Sequence, residues 1–443
     1  LQLRADAGEP HRLIEPQPNR AGLFVSDIPP ETPPSGPRAP YDPQARRETP
    51  LALKLIEHIR AFGPMTVQQY MTACLYDPEH GYYRREPAIG ADADFITAPE
   101  ISQCFGELLG LWAAVVWQQL GSPAPFRLIE YGPGRGTLMA DALRAASRVA
   151  GFREAARIVL HETNDTLRAV QAETLRPLGC HVVWAGRADD ATEAVTAEIG
   201  GEPGLENLPA IVLANEFLDT YPITQLVHAA GDVADVGSMW RTRMVDVDAA
   251  GRLVFTEADT PVPVPPHLRA AAANAKAGDI LEVCPARQAH LLEFLDGGSD
   301  DEDDDAELDA FEAPPRVALY IDYGQAEPGP GDTLQAVRRH AFEHPLTSPG
   351  EADLTCQVDF TEFAAQAVAC DLVVDGPTTQ AEFLGALGIL QRASKLMSAN
   401  PSRASLIEAG VLRIMAPTGM GTRFKVMCVR SPMTEVPPGF RPR

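Results

Sequence analysis

The sequence predicts an α/β protein built on a parallel, doubly wound sheet, and three observations carry that reading. Short apolar runs at 126–131, 157–163, 180–184 and 209–214 alternate with helical stretches at 138–149, 165–178 and 191–199. Strands spaced by helices of that length need crossover connections, which leave neighbouring strands parallel. The first run ends in the turn Gly132-Pro133-Gly134-Arg135-Gly136, at the carboxyl end of a strand, where open α/β sheets bind ligands. Hydrophobic residues make up 45% and charged residues 22% of the 443, so the chain can bury one large core with additions, or two.

Taken in order, residues 1–50 hold 11 of the 40 prolines and no periodic apolar pattern, which predicts a disordered or extended arm. Residues 51–124 read as an N-terminal helical cap. Leu51, Leu53, Leu55, Ile56 and Ile59 form a helical stripe stopped by Gly63-Pro64. Thr66 is an N-cap candidate for a second helix reaching Leu75. A long buried helix follows over 101–120, with Pro99 just ahead and Glu100 at the positive end of its dipole. Residues 125–222 are the Rossmann-like core. Regular alternation stops after Asn215, and 223–315 read as an inserted mixed α/β subdomain. It has antiparallel strands near 224–227, 239–247, 253–257 and 280–283, and a turn at Asp248-Ala249-Ala250-Gly251. Within it, 296–312 contain ten Asp or Glu and no Lys or Arg, which predicts a solvated, disordered loop. Residues 316–443 return to the core through a strand at 317–323, a helix near 380–390 and a last strand near 423–429.

Charge and cysteines exclude several classes. A formal charge of −24 repels phosphates, so nucleic acid is not an expected partner, whereas a cationic ligand or protein is. The seven cysteines are irregularly spaced with no CxxC, which supports reduced, buried thiols and neither a disulfide framework nor a metal site. No apolar stretch reaches membrane-span length. The acids among the N-terminal arginines argue against a transit peptide. A bacterial cytoplasm is therefore the favoured compartment, with the mitochondrial matrix as the alternative. Oligomeric state is left open.

The loop carries the first chemical signal. Glycines at 132, 134 and 136 let a ligand approach bare backbone. Their GxGxG spacing is neither the GxGxxG of dinucleotide enzymes nor a P-loop. Glu162, at the end of the second strand, stands where an acid receives both ribose hydroxyls. At the end of the fourth strand, Asn215 and Glu216 face the same cleft, followed by Asp219, and Asp322 lies near the end of a later strand. An NAD-dependent oxidoreductase shares the strand–glycine–helix start and the ribose acid, and a non-catalytic scaffold could keep the same fold.

Several longer runs together resemble one family. They are Gly63-Pro64-Met65-Thr66, Asp77-Pro78-Glu79-His80-Gly81-Tyr82-Tyr83, Asp94-Phe95-Ile96-Thr97-Ala98-Pro99-Glu100-Ile101-Ser102, the glycine loop, Ala214-Asn215-Glu216-Phe217-Leu218-Asp219, Gly331-Asp332-Thr333-Leu334-Gln335-Ala336 and Pro349-Gly350-Glu351-Ala352-Asp353-Leu354-Thr355. Over roughly residues 50–430 the chain resembles the MidA family of class I methyltransferases, whose mitochondrial members are complex I assembly factors acting as protein arginine methyltransferases. The resemblance implies a seven-stranded methyltransferase sheet, S-adenosyl-L-methionine as cofactor and symmetric dimethylation of arginine on a respiratory complex I subunit. It implies cofactor contacts from Gly132, Gly134, Gly136 and Glu162, with Glu130 below the loop. It places Thr97, Pro99 and Glu100 in a cap over the cofactor, and Asn215, Glu216 and Asp219 on the substrate side, with Asn215 also a candidate contact for the cofactor's methionyl amine. Gln357 departs from the His expected there, and the acidic run is not a family feature.

A guanidinium has a pKa above about 12 and resists deprotonation, so a carboxylate pair is the natural partner to grip it, aim one nitrogen and take the proton. Glu216 is the candidate for this role, with Asp219 or Asp322 assisting. The residues themselves barely separate a protein arginine from a small-molecule acceptor.

Overall fold

A computed structural model of the chain describes residues 42, 44–84, 97–185, 208–229, 240–296, 314–327 and 329–441. Most of the expected arm, the helix at 191–199 and nearly all of the acidic run lie outside the described residues; the end of the arm, from residue 44, is instead ordered, with Arg47 N–H donating to the Thr347 carbonyl and Thr49 and Pro50 opening the first helix.

The central sheet has seven main strands: β1 (Phe126–Tyr131), β2 (Ala156–His161), β3 (Val182–Ala185), β4 (Ala210–Asn215), β5 (Arg316–Gln325), β6 (Val373–Thr379) and β7 (Phe424–Arg430). Their order is β3-β2-β1-β4-β5-β7-β6, and β7 runs antiparallel to both its neighbours. The first five are mutually parallel, as the helical spacing requires. Strand order reverses between β1 and β4, which opens a crevice at their carboxyl ends. The expected class, a Rossmann-like, mostly parallel sheet of seven strands, is the observed one.

Both faces of the sheet are covered. Phe126 and Leu128 of β1 point to one side, where α3 (Gln103–Gln119) and α4 (Thr137–Ala146) pack, flanked by α5 (Asp165–Leu175). Ile129 and Tyr131 alternate to the other side, against Leu291 of α6 (Pro285–Asp296) and Phe360 and Phe363 of α7 (Phe360–Ala369). Glycine is required where α3 crosses α4: a Cβ on Gly110 would sit 2.2 Å from the Ala142 carbonyl oxygen. The helix predicted over 101–120 is interrupted at Ser102, whose extended backbone separates the short helix Ala98–Ile101 from α3.

A second core forms beside the sheet. It joins α1 (Pro50–Phe62) and α2 (Val67–Tyr76) to an antiparallel sheet of the strands Met65–Thr66, Thr224–His228, Trp240–Val247, Leu253–Pro261 and Ile280–Val283. Thr49 caps α1 by accepting from Ala52 N–H at 3.0 Å. Thr66 and Gln69 form a capping box on α2, and such a cap contributes about 1 kcal/mol. Of the stretch 51–124, α1 and α2 thus pack on the antiparallel sheet, whereas α3 belongs to the central one. Likewise α6, at the end of the 223–315 stretch, packs on the central sheet. All seven cysteines are free and six are buried.

Candidate active site

The site begins where β1 runs into its loop. Gly132, Gly134 and Gly136 all have left-handed φ, at +63°, +53° and +76°, a conformation that costs other L-residues roughly 1–2 kcal/mol. Gly136 is also the N-cap of α4 and has no side chain to cap with. Acids from elsewhere supply the acceptors at this helix start. The Glu130 carboxyl, buried beneath the loop, accepts from Met139 N–H, and Glu100 accepts from the Thr137 hydroxyl. Burial pushes the Glu130 carboxyl well above its usual pKa. Both residues therefore support the loop rather than line the cavity beside it.

At the end of β2, Glu162 accepts from Asn164 N–H at 2.8 Å and from Gln171 Nε2 at 3.1 Å. Asn164 is the N-cap of α5, accepting from Thr166 and Leu167 N–H, and its Nδ2 donates to the Tyr83 carbonyl at 2.9 Å. One residue so joins the acid, the helix and the cap. Arg84, from the same cap segment, donates to the Thr163 carbonyl at 3.3 Å.

At the end of β4 the chain turns sharply. Glu216 has φ +52°, unusual for a residue with a side chain. The surroundings hold it there: its N–H donates to the Ile321 carbonyl at 2.9 Å, and its carboxylate accepts from Ala98 N–H at 3.3 Å and from Asn215 Nδ2 at 3.1 Å. Asp322, fully buried on β5, accepts from the backbone N–H of Phe217 (3.1 Å), Asp219 (3.1 Å) and Tyr323 (2.8 Å). Next to it, the Tyr323 hydroxyl donates to Asp219. Burial raises the Asp219 pKa to about 6, a rise opposed by the Tyr323 hydrogen bond and by Arg287. Burial, then the neighbouring Asp219 and Glu216, push Asp322 well above the carboxylate range.

These ends meet around one cavity of about 500 Å³, a volume ordinary for a cofactor or drug-sized ligand. It brings together Gly132, Gly134, Glu162, Glu216, Asp219 and Thr97. Gly136, Glu130, Asn215, Asp322, Pro99 and Glu100 are not among its lining. Asp322 is the instructive one, because its oxygens are turned into the backbone of the 217–219 turn, where they position the acids without facing the cavity.

Sequence reasoning did not single out the aromatic wall. Tyr76, Tyr83, Tyr131, Phe217, Tyr221 and Tyr323 all line the cavity, and Asp353 joins from a three-stranded sheet, 3.3 Å from the Tyr83 hydroxyl. The only signal for Tyr83 and Asp353 was their membership of runs that carry the resemblance. Two imidazoles in the lining stay neutral: burial lowers His161 to about 3 and His290 to about 4. Among the described residues the charged lining is thus four acids, Glu162, Glu216, Asp219 and Asp353, against one base, Arg84. That balance suits a cationic ligand.

The pieces fit S-adenosyl-L-methionine. Bare backbone at Gly132 and Gly134 admits close approach, Glu162 offers a carboxylate for ribose hydroxyls, and aromatic and acidic walls suit a sulfonium. Among the described residues no helix is long and apolar enough to cross a membrane.

Comparison with known proteins agrees. Residues 108–378 match the model of a family described as S-adenosyl-L-methionine-dependent methyltransferases. The chain is 31% identical over 406 residues to the mitochondrial protein arginine methyltransferase NDUFAF7 homolog of Drosophila melanogaster, covering 86% of this chain and 84% of that one. It is 33% identical over 393 residues to the NDUFAF7 protein of Danio rerio, covering 85% of each. In three dimensions it is similar to a Burkholderia thailandensis chain crystallised with S-adenosylhomocysteine, with a TM-score of 0.70 at 24% identity, covering 90% of this chain and 99% of that one, which supports the fold. With glycine loop, strand order and matched length in agreement, the chain belongs to this family of S-adenosyl-L-methionine-dependent methyltransferases, and S-adenosyl-L-methionine is its cofactor.

Proposed function

We propose that the chain methylates arginine in a protein substrate, with Glu216 and Asp219 as the groups that hold the guanidinium. The observation that carries this reading is the convergence of two carboxylates from one strained turn on a cavity whose other wall is the glycine loop. The names of the relatives support it, since they are protein arginine methyltransferases. By family resemblance it extends to symmetric dimethylation of a respiratory complex I subunit. The relatives' names lend the mitochondrial setting its support.

When bound, the cofactor supplies an electrophilic methyl group on a sulfonium. This chain's residues do the rest. Glu216 and Asp219 pair with the guanidinium through charge-assisted hydrogen bonds and aim one nitrogen at the methyl carbon. As the N–C bond forms and the S–C bond breaks, one N–H proton passes to a carboxylate oxygen. Tyr323 holds Asp219 in orientation, and Asp322 holds the turn that carries both acids.

Transfer of labelled methyl groups into a lysate, followed by identification of the modified peptide, tests the reading. The expected product is methylarginine. Glu216→Gln should lower transfer by roughly 100-fold or more while S-adenosylhomocysteine still binds. A modified residue other than arginine, or full transfer by Glu216→Gln, would overturn it.

A further inference from the structure

One fully buried side chain on α5 joins the two parts of the site assigned to the cofactor. Gln171 donates through Nε2 to the Gly134 carbonyl at 2.8 Å and to the Glu162 carboxylate at 3.1 Å. Its Oε1 accepts from the Trp184 indole N–H on β3 at 2.7 Å. The chemistry of the partners sets the orientation of this amide. An indole can only donate, so the oxygen must face Trp184; a carbonyl and a carboxylate can only accept, so the NH₂ must face them. The residue also underlies the loop sterically, since a Cβ on Gly136 would come within 3.4 Å of the Gln171 Cα.

We propose that Gln171 is a positioning residue for the methyl donor: its single amide nitrogen sets the spacing between the glycine loop and the Glu162 carboxylate, so that the site is assembled before the ligand arrives. This rests on the reading of Glu162 as the ribose acid. A glutamine serves here because its shape carries two donors on one end and an acceptor on the other. Glutamate, its nearest isostere, would set a carboxylate against two acceptors, and an apolar residue would leave both of them without their buried donor.

The arrangement has a signature in pH. Burial raises the Glu162 pKa, and the Asn164 and Gln171 hydrogen bonds oppose that rise. Among the described residues, the charged and titratable groups around Glu162 are Arg168 of α5, whose Nε donates to the Glu162 carbonyl at 2.8 Å, Arg84 of the cap, and the neutral His161 preceding it on β2. Taking away the Gln171 donor favours the protonated acid, which accepts less well from hydroxyls, so binding is lost from the acid side. Placing a second carboxylate at 171 has the opposite slope: the pair repels when both are ionised and recovers as one takes a proton.

Calorimetric titration of S-adenosylhomocysteine between about pH 5.5 and 8 tests this, with ligand-free thermal midpoints reporting on the fold. Gln171→Met should weaken binding about tenfold or more at neutral pH, with the deficit growing as pH falls. Gln171→Glu, which preserves shape should the methionine variant not fold, should lose most at high pH. Glu162→Gln is the reference. If it binds tenfold more weakly or worse while both folded Gln171 variants match wild type across the range, Gln171 is a packing residue and the inference falls. Parallel losses without opposed pH slopes overturn it equally. If Glu162→Gln itself binds as wild type, the ribose reading fails and takes the inference with it.

Discussion

Among the described residues, most polar groups at the glycine-loop end of the cavity come from one unbroken stretch, Glu130 to Gln171, with Arg84 and Glu100 reaching it from the cap. At the other end the groups come from places far apart: Tyr76 to Arg84, Glu216 to Tyr221, Tyr323, and Asp353 to Thr355. The acids differ as well. Burial raises all three pKa values, but Glu162 sits among donors from its own neighbourhood, whereas Asp219 and Asp322 are buried beside each other. A mostly local end can be held largely by loop and helix geometry. An assembled end needs a buried group, here Asp322, to tie strands together.

If that contrast holds, the largest effect should come from Asp322→Asn. An amide in place of the carboxylate would turn N–H groups toward backbone donors, costing about 1–3 kcal/mol of stability. Displacing the Glu216–Asp219 turn by as little as an ångström can cost roughly 100-fold in transfer. Thermal denaturation should show a lowered midpoint and transfer assays a fall of that order, with S-adenosylhomocysteine affinity much less changed. A cofactor affinity that drops as far as transfer would show that the two ends are not separately built.

A smaller effect is expected from Tyr323→Phe. Gripping a cation needs the Asp219 carboxylate, so transfer should fall as pH drops through about 6. The Tyr323 hydroxyl stabilises the ionised form, and its removal should move this acid limb to higher pH. A shift of one unit corresponds to a tenfold lower rate on the acid side. A pH–rate profile unchanged by the substitution would take Asp219 out of the acceptor site.

The smallest effect lies back at the local end. Burial raises the Glu130 pKa, so the folded state resists ionisation that the unfolded chain undergoes above about pH 4.3. Stability is unaffected below that range and declines as pH rises above it. Glu130→Gln keeps an acceptor for Met139 N–H and removes the titration. Its thermal midpoint relative to wild type should therefore climb between about pH 5 and pH 8. A difference that stays flat would mean that Glu130 is charged in the native protein.

Much of the fold was legible because its signals are local. The continuous run of β1, buried along its whole length, the Thr66 cap and the strands at Trp240–Val247 and Ile280–Val283 each follow from a few adjacent residues. The break at Ser102 was not, because the apolar pattern runs through it. Neither was α3's place on the central sheet, which depends on Gly106 and Gly110 meeting α4.

The site divides along the same line. Glycines at 132, 134 and 136, and an acid two positions after a strand's last apolar residue, are statements about backbone sterics and chain direction, and sequence alone determined them. Which carboxylate faces the ligand and which faces a backbone turn was decided by tertiary structure. Asp219 and Asp322 have the same side chain and both lie near strand ends, yet Asp322 meets three N–H groups from residues that include two a hundred positions away. Gln171 was decided the same way: nothing in its helix marks it, and only the packing of Gly134, Glu162 and Trp184 around one amide makes it a junction. A hydrogen bond between distant segments depends on where the chain brings donor and acceptor, and that information exists only in the folded arrangement.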